Sequence, residues 1–555
     1  MLAATANGLA AAQSVPTAPP TDFDDFEAGV LARHDAYVET WLAHQNLAPQ
    51  SRRYGGFADA NGFYHGASVS NSFEILVPAY LHPRSRFHQS PLLIERMRIC
   101  EKFLQNHTSP EGNIDLWVTN FASPPDTSFA VHSACRAALL ARRYQAPELE
   151  ALVRPFLQRS TPALLTGGIH TPNHRWEMCA ALASLHELYP NPALVKRIDQ
   201  WLAEGIDLDS DDQYTERSTV VYNSIVNQAL VTVALKLNRP QLLEPVRRNI
   251  NGVLYLLHGS PASGYEVETG ISRRQDLNTR GGLARYWHPL AVLAQRDKNP
   301  VYLTLARHYQ RDAVGLGQLM LEPGLLKLEG AGAPVPDNYE KMFPRMGVAR
   351  IRRGLTSATI FTKDKSSFFS LRRGDAVIHS VRFATGFFGK GQFKPTVFTR
   401  QNGAYVLTQA LEGPYYQPFT PGRRVDMTFD ETREQRPKTQ VQKLTQSAEI
   451  RETPQGFALR IRAEGTKDVP LTIEINCRED ATLDGVDQVS HDVYRPHPGA
   501  TRISISRGAQ AIRVSPLPVA HTWYAVRGAE SKLPGPSIYL TGLTPFDITL
   551  NFEVT

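Results

Sequence analysis

Apolar residues recur at helical spacing from residue 24 to about residue 320. The pattern predicts helices over 24–46, 90–106, 127–144, 147–159, 174–189, 192–204, 218–237, 240–257, 281–296 and 299–319. Short proline-containing breakers separate most neighbours: Ala146-Pro147, Pro190-Asn191-Pro192 and Asn238-Arg239-Pro240. Proline suits the first turn of each following helix, where its missing N–H costs nothing. Every second connection is instead long and polar, over 107–126, 160–173, 205–217 and 258–280. The helices therefore come as hairpins, with tight turns at one end and long loops at the other. One set begins near 127, 174, 219 and 281, in steps of 47, 45 and 62 residues. Such a period suggests helical hairpins stacked into a closed toroid, with the long loops gathered at one rim. An open helical solenoid carries the same local pattern. The uncharged run Ser218–Leu235 suits an inner helix of a ring better than a membrane span, because Tyr222, Asn223, Asn227 and Gln228 lie within it.

Near residue 335 the period changes to two. Residues 321–345 read as a Gly/Pro-rich linker, followed by segments such as VARIRRG, AVIHSVRFAT, GFALRIRAEG, VPLTIEINC and FDITLNFEV that read as strands between turn residues. The expected fold class is α+β multidomain: an N-terminal (α/α) toroid over 23–320, then an antiparallel β-sandwich or stacked-sheet domain over 346–555. Residues 1–22 are Ala-rich and uncharged at 2–21. They read as a disordered leader or the remnant of a signal peptide without its basic n-region, and point to a periplasmic or secreted protein.

Composition narrows the class. The chain has 555 residues, 42% hydrophobic and 21% charged, which excludes disordered, collagenous and coiled-coil proteins. A net charge of +6 is too small for a nucleic-acid binder and fits a soluble protein with an anionic partner. Between 345 and 400, however, twelve Lys/Arg face only Asp364 and Asp375. That stretch reads either as a solvated strand face or as a basic wall for an acidic ligand, with His379, Lys390 and Gln392 in or beside its Gly-rich turn. Cys100, Cys135, Cys179 and Cys477 stand singly, read as small buried residues, and offer no zinc spacing. No phosphate loop, dinucleotide fingerprint or nucleophile elbow occurs, so no cofactor is expected, and scattered His and Asp leave room only for a structural cation.

The polar signals sit at the long-loop ends of the helices. In the first loop Trp117, Asn120 and Phe121 have the chemistry of a sugar subsite, and Asp126 that of a helix cap. In the second, Asn173, His174, Arg175 and Trp176 converge on one turn; Asn173 also reads as an N-cap, and His174 suits proton transfer near neutrality. In the third, Glu216, Arg217 and Ser218 precede Tyr222, whose pKa a nearby Arg217 would lower. In the fourth, Arg280 and Arg285 have the geometry to clamp a carboxylate, with Trp287 and His288 beside them. Trp287 reads equally as hairpin core.

The layout resembles the heparinase- and alginate-lyase-like polysaccharide lyases. Asn173-His174-Arg175-Trp176 resembles the Asn-His…Trp segment at the start of an inner helix in that family. Asp212…Glu216…Ser218…Tyr222-Asn223 resembles its Asp-Gly…Glu…Ser…Tyr-His segment, with Gln213, Arg217 and Asn223 in place of Gly, Gln and His. The Asn120-Phe121-x-Ser-Pro-Pro-Asp126 stretch is similar to the rhamnose–glucuronate lyases that uncap arabinogalactan glycans. The resemblance implies β-elimination on a uronic-acid glycan. One group neutralises the carboxylate, one removes the C5 proton, and one protonates the oxygen leaving C4. The expected catalytic residues are His174, Tyr222 and Asn173. The expected substrate contacts are Arg175, Glu216, Arg217, Arg280, Arg285, Trp287, His288, Asn120, Trp117, His379 and Lys390. Three rivals share the sequence evidence: a toroid glycoside hydrolase using two of Asp115, Asp126, Asp212 and Glu216, a non-catalytic glycan-binding protein, and a helical scaffold for protein partners.

Overall fold

The computed structural model describes residues 23–420 and 426–555, and the described residues divide into two units, those up to 256 with 266–335 and those of 257–265 with 336–555. The leader proposed for residues 1–22 lies outside the described residues.

The first unit is built from helices α1 (Phe23–Ala43), α2 (Gly66–Leu81), α3 (Pro91–His107), α4 (Pro124–Arg143), α5 (Pro147–Thr166), α6 (Pro172–Leu188), α7 (Pro192–Leu202), α8 (Tyr222–Lys236), α9 (Leu243–Leu254), α10 (Trp287–Asp297), α11 (Pro300–Ala313) and α12 (Leu316–Leu321). The even-numbered helices form the inner ring: α2 packs on α4, α4 on α6, α6 on α8 and α8 on α10, while α12 returns against α2. The turn Pro323–Leu326 packs on both α10 and α12 and completes the circuit, so the ring is closed and the solenoid alternative is set aside. Each odd-numbered helix packs outside the even one that follows or precedes it. Small residues make the close inner packing possible: Ala130, Ala134, Ala137 and Ala138 on α4 and Ala180, Ala181 and Ala183 on α6 are essentially inaccessible. Proline opens α3 to α7 and α11, and Asn191 and Asn299 cap the backbone N–H groups behind it.

Three elements differ from the sequence expectation: the strand Asn338–Phe343 lies inside the segment read as a linker and pairs with Val348–Arg353, and two helices depart as well. Helix α2 lies in a stretch that periodicity passes over, because Gly66-Ala67-Ser68-Val69-Ser70-Asn71-Ser72 has the composition of a loop. Its serines are satisfied inside the helix packing: Ser70 Oγ donates to the Ala130 carbonyl (2.5 Å), and Ser72 Oγ accepts from the Trp41 indole (3.0 Å). The helix expected over 299–319 breaks at Val314-Gly315 into α11 and α12. Among the described residues no helix is long and apolar enough to cross a membrane.

The second unit is a sandwich of two sheets. In one, the strand Ala376–Thr385 lies between Phe369–Arg373 and Pro470–Cys477; in the other, Lys438–Thr453 lies between Ala404–Tyr416 and Gly456–Gly465. Among the described residues the strands pair antiparallel except for Val493–Pro496 with Ser537–Leu543, and Val519 makes a parallel bridge to Thr541. Alternating residues from both sheets, among them Ile360, Phe383, Ile475, Leu407, Ile450 and Leu550, form one core.

Of the twelve Lys/Arg expected to form a basic wall over 345–400, four (Arg350, Arg352, Arg372 and Arg382) are interior to this unit and six are exposed. Arg350 is fully buried and donates to Thr359 Oγ1 (2.6 Å) and to the Leu257 carbonyl (3.2 Å). Arg382 is buried against Glu474 (2.5 Å), and Arg352 and Arg372 are buried as well. These four cations spend their charge on the sandwich. The four cysteines are buried and free, and burial raises each thiol pKa.

Candidate active site

The long loops of the first unit converge at the N-terminal ends of α4, α6, α8 and α10. They surround a cavity of about 1010 Å³ lined wholly by residues of that unit.

At the mouth, one carboxylate ties three loops together. Thr171, not Asn173, is the N-cap of α6, so Asn173 lies inside the first turn. Its backbone N–H donates to Glu216 Oε2 (3.2 Å), and its Nδ2 donates to both Glu216 oxygens (3.1 and 2.8 Å). Glu216 thereby caps α6 from another loop, where the helix dipole favours its charge. Arg274, from the loop before α10, donates its Nε to Glu216 Oε1 (2.7 Å). Asn173 is inaccessible to solvent and stands behind Glu216, which lines the cavity with Arg274.

His174 follows on the cavity side. Burial lowers its pKa to about 4, assisted by His170 and Arg274 and opposed by Glu177. The imidazole is thus neutral at pH 7 and able to accept a proton. The His170 ring meets it edge-on at 4.8 Å. Tyr222 is the first residue of α8, not a turn inside it, and its N–H is held by Ser218 Oγ (3.0 Å). Its hydroxyl accepts from Gln275 Nε2 (2.5 Å). Burial raises its pKa, Gln275 and Arg274 oppose the rise, and Glu216 adds to it. The phenol is therefore protonated and able to donate. Arg217 does not lower this pKa as expected: its backbone turns at φ 50° and its guanidinium reaches Asp209 (3.5 Å).

The structure gathers Asn120, His174, Glu216, Tyr222, Arg285 and His288 around the cavity. It places the other expected contacts elsewhere. Arg175 pairs with Glu204 (3.0 Å) and Asp207 (2.8 Å), Arg280 pairs with Glu266 (2.8 Å), and Trp287 is buried in the hairpin core. Trp117 is covered by the Arg53 guanidinium at 4.1 Å. His379 and Lys390 belong to the second unit, half-buried on a strand and exposed in a turn respectively. Arg274, Gln275, His170, His132 and Glu177 line the cavity without having been singled out. Arg274 and Gln275 lie in the fourth polar stretch with Arg280 and Arg285, and sequence alone does not separate its arginines. His132 follows Asp126 and Phe129 at helical spacing, a signal legible on α4 once Asp126 is placed on its inner face.

Asp126 is not the cap of α4. Ser123 caps the helix, and Asp126 accepts from Ser123 Oγ (2.5 Å) and Asn120 Nδ2 (2.8 Å).

No family model and no curated protein matches the sequence. The fold does match solved structures. Heparinase III is similar with a TM-score of 0.52 at 12% identity, over 95% of this chain and 82% of that one. The chondroitin AC lyase of Streptomyces coelicolor A3, solved with chondroitin sulphate, gives 0.55 at 13% identity, over 97% and 81%. A Paenibacillus xanthan lyase gives 0.53 at 11% identity, over 96% and 57%. The chain has the toroid-plus-sheet fold that these polysaccharide lyases share.

Proposed function

We propose that the protein is a carbon–oxygen lyase that cleaves a uronic-acid glycan by β-elimination. The observation that carries this reading is a single cavity holding a neutral histidine and a protonated tyrosine beside an arginine fixed by a buried carboxylate. The fold shared with three polysaccharide lyases supports it.

In this reading Arg274 neutralises the substrate carboxylate. Neutralisation makes the C5 proton easier to remove and stabilises the charge that develops as it leaves. His174 accepts that proton. The bound carboxylate and the developing anion raise its proton affinity from the low value of the free enzyme. Tyr222 donates its phenolic proton to the oxygen departing from C4, and the C4–O electron pair leaves with that oxygen as the C4–C5 double bond forms. Glu216 and Asn173 position Arg274. The hydrolase reading is weaker because the cavity carboxylates are already engaged: Glu216 by Asn173 and Arg274, Asp126 by Ser123 and Asn120, Glu177 by His132.

The finer reading, removal of rhamnose caps from glucuronate in arabinogalactan, is supported by Asn120 and Asp126 of the family-like stretch, both of which line the cavity. A polymeric substrate of this kind places the protein in the periplasm or outside the cell. The test is ultraviolet absorbance of purified protein with rhamnose-capped arabinogalactan, alginate and glycosaminoglycans. A rise with one glycan supports elimination and names the substrate. New reducing ends without absorbance would replace it with hydrolysis. Binding without either product would leave a glycan-binding protein.

A further inference from the structure

The Gly-rich turn Gly386-Phe387-Phe388-Gly389-Lys390 of the sheet unit has no part in the elimination, and none of its residues lines the cavity. It joins the strand Ala376–Thr385 to the short strand Gly391–Gln392, and the Lys390 N–H donates to the Phe387 carbonyl across it (3.0 Å). Its two phenylalanines part company. Phe387 is buried with Leu444 and Val469 in a small core that anchors the turn. Phe388 is instead 42% exposed, at φ 50°, a backbone region that a bulky side chain rarely adopts. Burial does not account for a large ring held outward on a strained backbone.

Two further segments complete a surface around Phe388. Gly413 lies against the ring, where any side chain would collide with it, and Tyr415 meets the ring at 5.5 Å and 65°. Gly528 packs so closely on Gly389 that a side chain there would strike the turn, and the Glu530 N–H donates to Gln392 Oε1 (2.8 Å). The segment so fixed brings Trp523 within 3.7 Å of the position a side chain at Gly386 would take, and Arg527 Nε within 3.8 Å of the same position at Gly389. Tyr415 is 58% exposed and Trp523 48%. Single exposed apolar residues are ordinary, but here three rings from three segments gather around one turn.

The free charge beside the rings is positive. Lys390 and Arg527 are exposed and have no acidic partner among the described residues. The acids of the same segments are engaged: Glu530 by Lys394 (2.8 Å) and Arg382 (3.3 Å), Glu412 by Lys443 (3.5 Å). The negative face of an aromatic ring attracts the C–H face of a pyranose, and unpaired cations beside it attract a carboxylate.

We propose that this end of the sandwich is a second glycan-binding surface, on which Phe388, Tyr415 and Trp523 stack against the sugars of an anionic glycan while Lys390 and Arg527 attract its uronate carboxylates. The choice of a uronate glycan rests on the lyase reading; the surface itself does not. A polymer held there stays tethered to the chain that cleaves it, at a raised effective concentration.

The test is affinity electrophoresis of the full chain through gels containing alginate, chondroitin sulphate, rhamnose-capped arabinogalactan or uncharged dextran. At least one uronate glycan should retard the wild type, and added salt should weaken the retardation. Trp523→Ala and Phe388→Ala should each weaken it about three- to tenfold, and Lys390→Gln with Arg527→Gln should remove most of its salt dependence. With the cavity anchor removed by Arg274→Ala, retardation should persist and still fall with Trp523→Ala. No retardation by any uronate glycan, retardation unchanged in the folded variants, or retardation abolished by Arg274→Ala alone would overturn the surface. Equal retardation by dextran would overturn its choice of an anionic glycan. A wild-type dimer in sedimentation that Trp523→Ala dissolves would assign the rings to a second copy of the chain and overturn it as well. Should the ring variants fail to fold, the double substitution of the exposed Lys390 and Arg527 decides. Trp523-dependent retardation with no absorbance from any glycan would sink the lyase reading and leave the surface standing; absorbance without such retardation would do the reverse.

Discussion

Asn173 gives Glu216 three hydrogen bonds, one from its backbone N–H and two from its side-chain amide, at 2.8 to 3.2 Å. It is a brace for the carboxylate that holds Arg274, and it reaches the cavity only through it. Asn173→Ala should therefore destabilise the fold by about 1–3 kcal/mol, the range for stripping partners from a buried acceptor. It should also raise KM more than Asn173→Asp at a pH where the aspartate is protonated. Denaturant melts and steady-state kinetics check both parts.

Arg274 and Arg280 separate the arginine that faces the cavity from one that serves a neighbouring loop. Arg274→Ala should lower kcat/KM by about 10²-fold or more, as expected when an electrostatic anchor is lost. Arg280→Ala should change it by less than a few-fold. Equal effects would place the carboxylate elsewhere.

Tyr222→Phe keeps the ring and removes the only proton that the reading assigns to the leaving oxygen. Turnover should fall by about 10²–10⁴-fold. Glycan affinity, measured by calorimetry, should stay within a few-fold.

The His174 pKa of about 4 sets two pH dependences with the same direction. As base it must be neutral, so kcat/KM should be flat across neutrality and fall on the acid side near pH 4. The alkaline limb belongs to Tyr222 and should lie above the ordinary tyrosine value, since burial raises its pKa. For stability, the unfolded chain binds this proton below about pH 6.5 while the folded chain does not until about pH 4. The histidine's contribution is therefore complete above pH 6.5 and is lost as pH falls from 6.5 to 4. His174→Gln should flatten that part of a stability–pH curve.

In the sheet unit, Arg382→Ala should cost about 3–5 kcal/mol by stranding Glu474 in the sandwich. Thermal melts measure this directly, and they distinguish a structural cation from a substrate contact.

Much of this architecture is written in the spacing of apolar residues. Proline at the helix starts and the alternation of short and long connections exposed the hairpins and their functional rim. The hairpin period suggested a closed ring without excluding an open solenoid, because closure depends on α12 meeting α2, and α2 hides its helical nature behind serines that hydrogen-bond within the packing. The site was legible by region more than by residue. His174, Tyr222 and Glu216 stand at or beside helix starts, and all three line the cavity. Asn120 lines it as well, but Arg274 stands among three other arginines between 273 and 285, and only the fold shows which of them meets Glu216. His132 and Glu177 lie 45 positions apart in sequence and become a pair only when α4 and α6 pack side by side. The cations of 345–400 were legible only as a density: six of the twelve stand exposed, while the sandwich buries Arg350, Arg352, Arg372 and Arg382, and nothing in the sequence separates the two groups.

The most direct test is proton NMR of the product from the glycan that turns over fastest, followed in wild type and in Tyr222→Phe. Elimination predicts a vinylic H4 signal with loss of H5 from the uronate in the wild type, and neither change in the variant. A product that retains H5 on a saturated uronate, whichever variant forms it, would contradict the proposed chemistry.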